Sequence, residues 1–265
     1  KLTKKEIETG NKILSKINID SKKIICIGIR DSSYLKKKYN NQDFSYHDHR
    51  NDEVEKYISG IKFLLNRGYT VLRMGSVTNK KLKIRHKNFL DYSNSKIKSD
   101  FMDVYISYVC KLFISNNTGL DALAVIFRKP ILHIGSLPFG AISTFSDRYY
   151  NTMSNYYSYS KKRFLNLTEI FNSNIQYLWR KKDFEKKKIK IILPNKKEIL
   201  KYCAETILIL EKSKRKKNHI VLEEKFKNLY SRYVKKYPDG NKQYHNIIKT
   251  KILFTFLTFN PHFLK

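Results

Sequence analysis

Two short apolar runs, each closing on polar residues and separated by a single helix-length amphipathic stretch, leave few folds open to this chain. Residues 23–30 include Ile24-Ile25-Cys26-Ile27-Gly28-Ile29-Arg30, a run apolar enough to be a strand buried on both faces. A Lys- and Asn-rich loop follows to about Arg50. Asp52 and Glu55 then have the spacing of a capping box. Val54, Tyr57, Ile58, Ile61, Leu64 and Leu65 recur at helical spacing, and Gly68 stands where a left-handed C-terminal stop is needed. Tyr69 to Met74 reads as the next strand. Strand, helix, strand in this order predicts a parallel sheet.

The alternation continues. Phe89 to Tyr92 is a short strand candidate, and Asp100 is placed to cap a helix carrying Phe101, Val104, Tyr105 and Tyr108. Leu112 to Ser115 is a strand, Thr118 to Phe127 a helix, and Pro130 to Ile134 a strand, with Pro tolerated as its first residue. This predicts an α/β fold, a doubly wound parallel sheet of Rossmann-like kind. Beyond Gly135 the texture changes: residues 136–160 read as a Ser- and Tyr-rich loop, and 196–212 and 219–236 as helices. We therefore expect a domain over 1–215 followed by a basic helical C-terminal extension over 216–265. There is no internal repeat.

Composition narrows the class. Of 265 residues 41% are hydrophobic and 14% aromatic, far too many for a disordered chain. No apolar run reaches the ~18 residues of a membrane span, and the start, Lys-Leu-Thr-Lys-Lys-Glu, is not a secretory leader. Cys26, Cys110 and Cys203 are odd in number and form no C-x-x-C pair, against a disulfide framework or a zinc site and in keeping with a reducing cytoplasm. Lys and Arg number 54 against 23 acids, a net charge of +31. The excess runs along the whole chain, with clusters at Lys36–Lys38, Lys186–Lys188 and Lys214–Lys217, and no nucleic-acid-binding motif accompanies it. A solvated face, or attraction to phosphate and to an anionic membrane at the cytoplasmic side, is favoured over nucleic acid.

In an open parallel sheet, ligands bind beyond the carboxyl ends of the strands. There the sequence places Arg30, Asp31, Ser32, Ser33 and Tyr34; then Arg73, Met74, Gly75 and Ser76; then Asp91, Tyr92 and Ser93; then Ser115, Asn116, Asn117, Thr118 and Gly119. Arginine forks, hydroxyls and a small-residue turn before a helix have the chemistry of an anion site. The competing possibility at the last turn is a capping box between Thr118 and Asp121, which would use the amides internally and repel phosphate.

The stretches Ile29-Arg30-Asp31-Ser32-Ser33-Tyr34-Leu35, His49-Arg50-Asn51-Asp52, Gly68-Tyr69 and Arg73-Met74-Gly75 resemble one family. So do Asp91-Tyr92, Ser99-Asp100-Phe101-Met102-Asp103, Phe113-Ile114-Ser115, Thr118-Gly119-Leu120 and Phe127-Arg128-Lys129-Pro130. Leu167-Thr168-Glu169-Ile170 and Asn195-Lys196-Lys197-Glu198-Ile199 follow in the same order. The family is one of bacterial glycosyltransferases associated with surface-polysaccharide gene clusters, and the likeness covers about residues 20–210. It implies a GT-B-like architecture, with this chain mostly the C-terminal, donor-binding half, in keeping with a first residue other than Met.

The resemblance further implies a nucleotide-sugar donor as substrate, no metal or other cofactor, and a glycan or lipid-linked acceptor. Arg30 and Arg73 would neutralise the donor diphosphate, with Ser32 and Gly75 beside them. Ser115, Asn116, Asn117, Thr118 and Gly119 would cradle it, and Asp91 and Tyr92 would lie near base or ribose. For a base that deprotonates the acceptor, Asp31 is the first candidate and Asp103 the second. Related enzymes tend to carry His where this chain has Gly28. That departure keeps open a second reading, a noncatalytic module binding sugar nucleotides or polyanions.

Other features have plainer explanations. His47-Asp48-His49 lacks the partners of a metal site. His133 belongs in the core, and the tyrosines from Tyr149 to Tyr159 suit packing as well as stacking on a ligand.

Overall fold

The computed structural model describes residues 1–39, 42–76, 80–116, 118–213, 215–236 and 248–265. The chain forms two compact units, one of residues 1–44 and 51–132 and the other of 45–50 and 133–265.

The first unit holds α1 (Lys4–Ser15), β1 (Ile24–Gly28), α2 (Ser33–Lys38), α3 (Ile58–Asn66), β2 (Thr70–Met74), β3 (Phe89–Leu90), α4 (Asp100–Val109), β4 (Leu112–Ser115) and α5 (Asp121–Ile126). β1 is parallel to β2 on one side, Cys26 opposite Leu72, and to β4 on the other, Cys26 opposite Phe113. β1, β2 and β4 are buried along their whole length, which is why they read as continuous apolar runs rather than alternating ones. β5 (Ile131–Ser136) begins in the first unit and ends in the second.

The second unit continues with β6 (Tyr149–Met153), β7 (Asn155–Ser158), β8 (Arg163–Phe164), α6 (Leu167–Asn172), α7 (Lys181–Lys186), β9 (Ile189–Ile192), α8 (Lys196–Leu210), α9 (Lys217–Lys236), β10 (Lys251–Ile252) and α10 (Phe254–Phe259). The strand order is β10-β6-β5-β4-β1-β2-β3, with a separate antiparallel sheet β8-β7-β9. The chain is thus α/β and Rossmann-like. The run from β3 to β6 follows the order 3-2-1-4-5-6 of dinucleotide-binding sheets, whose direction reverses between β1 and β4.

Several local expectations are corrected. Residues 136–160 are not a loop: β6 and β7 lie there. Their polar side chains are buried and bonded, Asn151 Nδ2 donating to Thr250 Oγ1 at 2.6 Å and Ser154 Oγ to the Gly135 carbonyl at 2.8 Å. Ser99, not Asp100, caps α4, its hydroxyl accepting from the Met102 amide. Asp52 and Glu55 form no capping box. Asp52 Oδ1 instead takes the Glu53 amide and Lys56 Nζ, while Glu55 pairs with Lys80. The helix expected over Thr118 to Phe127 is the shorter α5, because residues 118–120 are used in the turn that leads into it.

Packing explains the rest. A Cβ on Gly10 of α1 would fall 2.3 Å from the Tyr105 ring of α4, so only glycine allows this approach. Gly68 turns the chain out of α3 at a φ of +80°. In the second unit Phe139 is ringed by Tyr156, Phe171, Phe226, Tyr230 and Phe263, with centroids 5.4–6.4 Å away. The segment expected as an extension therefore supplies Phe226, Tyr230 and Phe263 to that core. His133 is 3% exposed and packs edge-on against Tyr149. The three cysteines are free and buried.

Candidate functional site

A cleft of about 410 Å3 opens in the first unit at the carboxyl ends of β1, β2 and β4, beside the point where strand order reverses. Each strand contributes the residues just past its end. Gly28, Ile29, Arg30 and Asp31 come from the end of β1, Met74, Gly75 and Ser76 from β2, and Thr118, Gly119 and Leu120 from the turn after β4. Tyr34 and Leu35, on the first turn of α2, complete the wall.

Backbone bonds fix the root of Arg30. Its amide donates to Asn116 Oδ1 at 2.6 Å, and its carbonyl accepts from the Asp52 amide at 3.0 Å. Asn116, 7% exposed, thus ties β4 to the end of β1 rather than facing a ligand. Asp31 Oδ1 accepts from the Ser33 amide (2.9 Å) and Ser33 Oγ (2.6 Å), so the carboxylate starts α2 while lining the cleft. Ser32, at the N-cap of α2, makes no side-chain capping bond.

The capping box expected between Thr118 and Asp121 does not form: the N-cap of α5 is Leu120, without a side-chain bond, and Asp121 is held by Ser115 instead. Ser115 is fully buried; its hydroxyl donates to Asp121 Oδ2 at 2.6 Å and accepts from the Thr118 amide at 3.1 Å. The amides of Asp121, Ala122 and Leu123 close onto Thr118, Gly119 and Leu120 carbonyls. Those of Gly119 and Leu120 have no partner among the described residues, and Thr118 Oγ1 is buried without one. Asn117 lies outside the described residues. Gly28 keeps this corner open: a Cβ there would come within 3.0 Å of the Phe113 ring and 3.2 Å of Thr118 Oγ1.

Four other candidates are directed elsewhere. Arg73, 3% exposed, donates to the Lys80 carbonyl and lies 3.4 Å from Asp91 Oδ2. Asp91 also accepts from the Leu82 amide (2.8 Å), Ser93 Oγ and Asn94 Nδ2. Arg73 lines a separate recess of about 160 Å3 with Asp31, Asp52 and Glu55. Tyr92 is fully buried and donates to Asp103 Oδ1 at 2.8 Å; burial, then the bond to Asp103, pushes its phenol far above the usual range. Asp103, the second candidate base, is held by Tyr92 and by Lys98 Nζ at 2.6 Å.

The cleft thus brings together Arg30, Asp31, Gly75, Thr118 and Gly119, and leaves Arg73, Asp91, Tyr92, Ser115 and Asn116 as supports. Sequence reasoning placed Tyr34 and Met74 past the strand ends but did not anticipate the apolar wall they form with Ile29, Leu35 and Leu120. The only signal was their position just past each strand. Apolar and aromatic walls suit a base or sugar ring, while a guanidinium and open amides suit phosphate. Among the described residues no three His, Cys, Asp or Glu side chains could hold one metal ion, and no helix is long and apolar enough to cross a membrane. No protein-family model, curated protein or solved structure matches this chain.

Proposed function

We propose that the chain binds a nucleotide-activated sugar in the strand-end cleft and transfers the sugar to a glycan or lipid-linked acceptor in surface-polysaccharide synthesis. The observation that carries this is that Arg30 and the Gly119-Leu120 turn, whose amides have no partner among the described residues, line one ring-sized cleft where the sheet order reverses. Transfer requires the leaving diphosphate to be stabilised as its charge grows. Here Arg30 supplies the cation and the turn supplies fixed dipoles. Tyr34 takes the place near the base that was expected for Tyr92. Asp31 is the carboxylate placed to receive the acceptor proton.

A second reading, a noncatalytic sugar-nucleotide-binding module, is favoured by one observation: both bonds from Ser33 fall on the same Asp31 oxygen. These hydrogen bonds commit that oxygen to starting α2 rather than to an acceptor.

Thermal-shift measurements against UDP-, GDP-, CMP- and ADP-sugars test the proposal. A bound donor at a hundred times its dissociation constant stabilises by about 2.7 kcal/mol. Arg30→Ala and Gly28→Val should abolish the shift. Donor hydrolysis or transfer should fall by about 10²-fold in Arg30→Ala. A shift with no turnover under any acceptor supports the binding module, and no shift with any nucleotide sugar removes both readings.

A further inference from the structure

In the second unit, α7 and β9 and the segment 45–50 that packs on α7 form one basic surface. Residues 180–190 hold seven basic side chains (Arg180, Lys181, Lys182, Lys186, Lys187, Lys188 and Lys190) against Asp183 and Glu185, and all seven are exposed. Trp179, 45% exposed, precedes them, with Arg50 stacked 5.4 Å from its ring. Tyr159 is 55% exposed. A cleft of about 520 Å3 beside Tyr159 is lined by Lys181, Glu185, Lys188 and Lys190 and by the apolar Phe184, Ile189 and Ile191. A second, of about 340 Å3, lies between Tyr46, Arg180 and Lys182.

We propose that this face docks the protein on an anionic phospholipid surface, with lipid phosphates among the α7–β9 lysines and Trp179 and Tyr159 at headgroup depth. The proposal does not depend on what the strand-end cleft binds. Charge complementarity and amphipathic aromatics together support it. Lys and Arg clusters are drawn to anionic leaflets, each contributing about fivefold in partitioning. Trp and Tyr concentrate where water meets hydrocarbon, and lysine stems can lie along apolar side chains with their ammonium groups outward. Nucleic acid is disfavoured because single strands are followed by a continuous groove, whereas here two separate clefts flank α7, and six of the seven cations are Lys rather than the Arg that grips phosphate in two-point fashion.

Trp179 is the only tryptophan, so its emission reports from this face alone. With the full chain, vesicles of phosphatidylcholine and phosphatidylglycerol should shift the emission to the blue and sediment the protein. Pure phosphatidylcholine should do neither, and high salt should reverse the effect. A variant with Lys181, Lys182, Lys188 and Lys190 changed to Glu should lose affinity by about 600-fold or more. A charge-matched variant with Lys4, Lys5, Lys12 and Lys16 of α1 and its C-cap changed to Glu should lose far less; these lysines too are exposed. Equal losses in the two variants would assign the attraction to net charge and overturn the proposal. So would unchanged Trp179 emission on anionic vesicles, or an emission change produced by single-stranded DNA and not by vesicles.

Discussion

Arg73, Asp91 and Tyr92 have the residue types of a ligand site and are used as braces. A guanidinium at a strand end can grip a phosphate or a nearby carboxylate, and what decides is whether a carboxylate is already in reach. Asp91 is, and it gathers a backbone amide and two side-chain donors besides Arg73. Arg73→Ala should therefore leave a part-buried acid without its cation and cost about 2 kcal/mol of stability, read as a lowered urea midpoint, while leaving nucleotide-sugar affinity nearly intact. Arg30→Ala should do the reverse.

His262 is the second residue whose surroundings set its behaviour. Burial, with Lys265 adding to it, pushes its imidazole down to about 4, and its Nε2 lies 2.8 Å from Asn155 Oδ1. Because Asn155 Nδ2 donates to Asn260, its Oδ1 is the acceptor, which assigns the ring proton to Nε2. A folded value below the ordinary 6.5 means that the unfolded chain binds more protons between those limits. The stability is complete above about pH 6.5 and is lost as pH falls towards 4, by about 2 kcal/mol once partial exposure is allowed for. In His262→Gln, which retains a donor for Asn155, the urea midpoint should vary less than in the parent between pH 7 and pH 4.5.

Among elements, the short C-terminal helix shows how distant sequence supplies what local sequence lacks. Leu253 at the N-cap of α10 offers no side-chain acceptor. Glu205, from the buried face of α8, takes the Phe254 and Thr255 amides at 2.8 Å each and the Thr255 hydroxyl at 2.6 Å. Glu205→Ala should cost about 3 kcal/mol, since two helix amides lose a charged acceptor in a nearly dry site. Glu205→Gln, which keeps one good acceptor, should cost less. A thermal melt of the two variants checks the order. The same dependence on distant partners hid β6: Tyr149-Tyr150-Asn151-Thr152-Met153 reads as loop until Thr250, His133 and Gly135 satisfy its polar groups.

At the scale of the whole molecule, a charge of +31 acts as a field that concentrates any anion, sugar nucleotide or lipid alike, and salt weakens it. Local groups must then supply selectivity, which is why Arg30 in a cleft and Lys190 on an open face are assigned different partners. The residues themselves determined the parallel α/β core, because strands buried on both faces must be apolar along their length and their helices must carry a 3.6-residue stripe. They also placed the candidate site beyond the strand ends, since polar groups cluster where a buried strand emerges. Only the tertiary structure decided which of those groups face the cleft: a side chain's direction depends on the partner it meets, and Asn116, Asp91 and Asp121 meet theirs across the sheet edge or around a turn, at separations that no periodicity records.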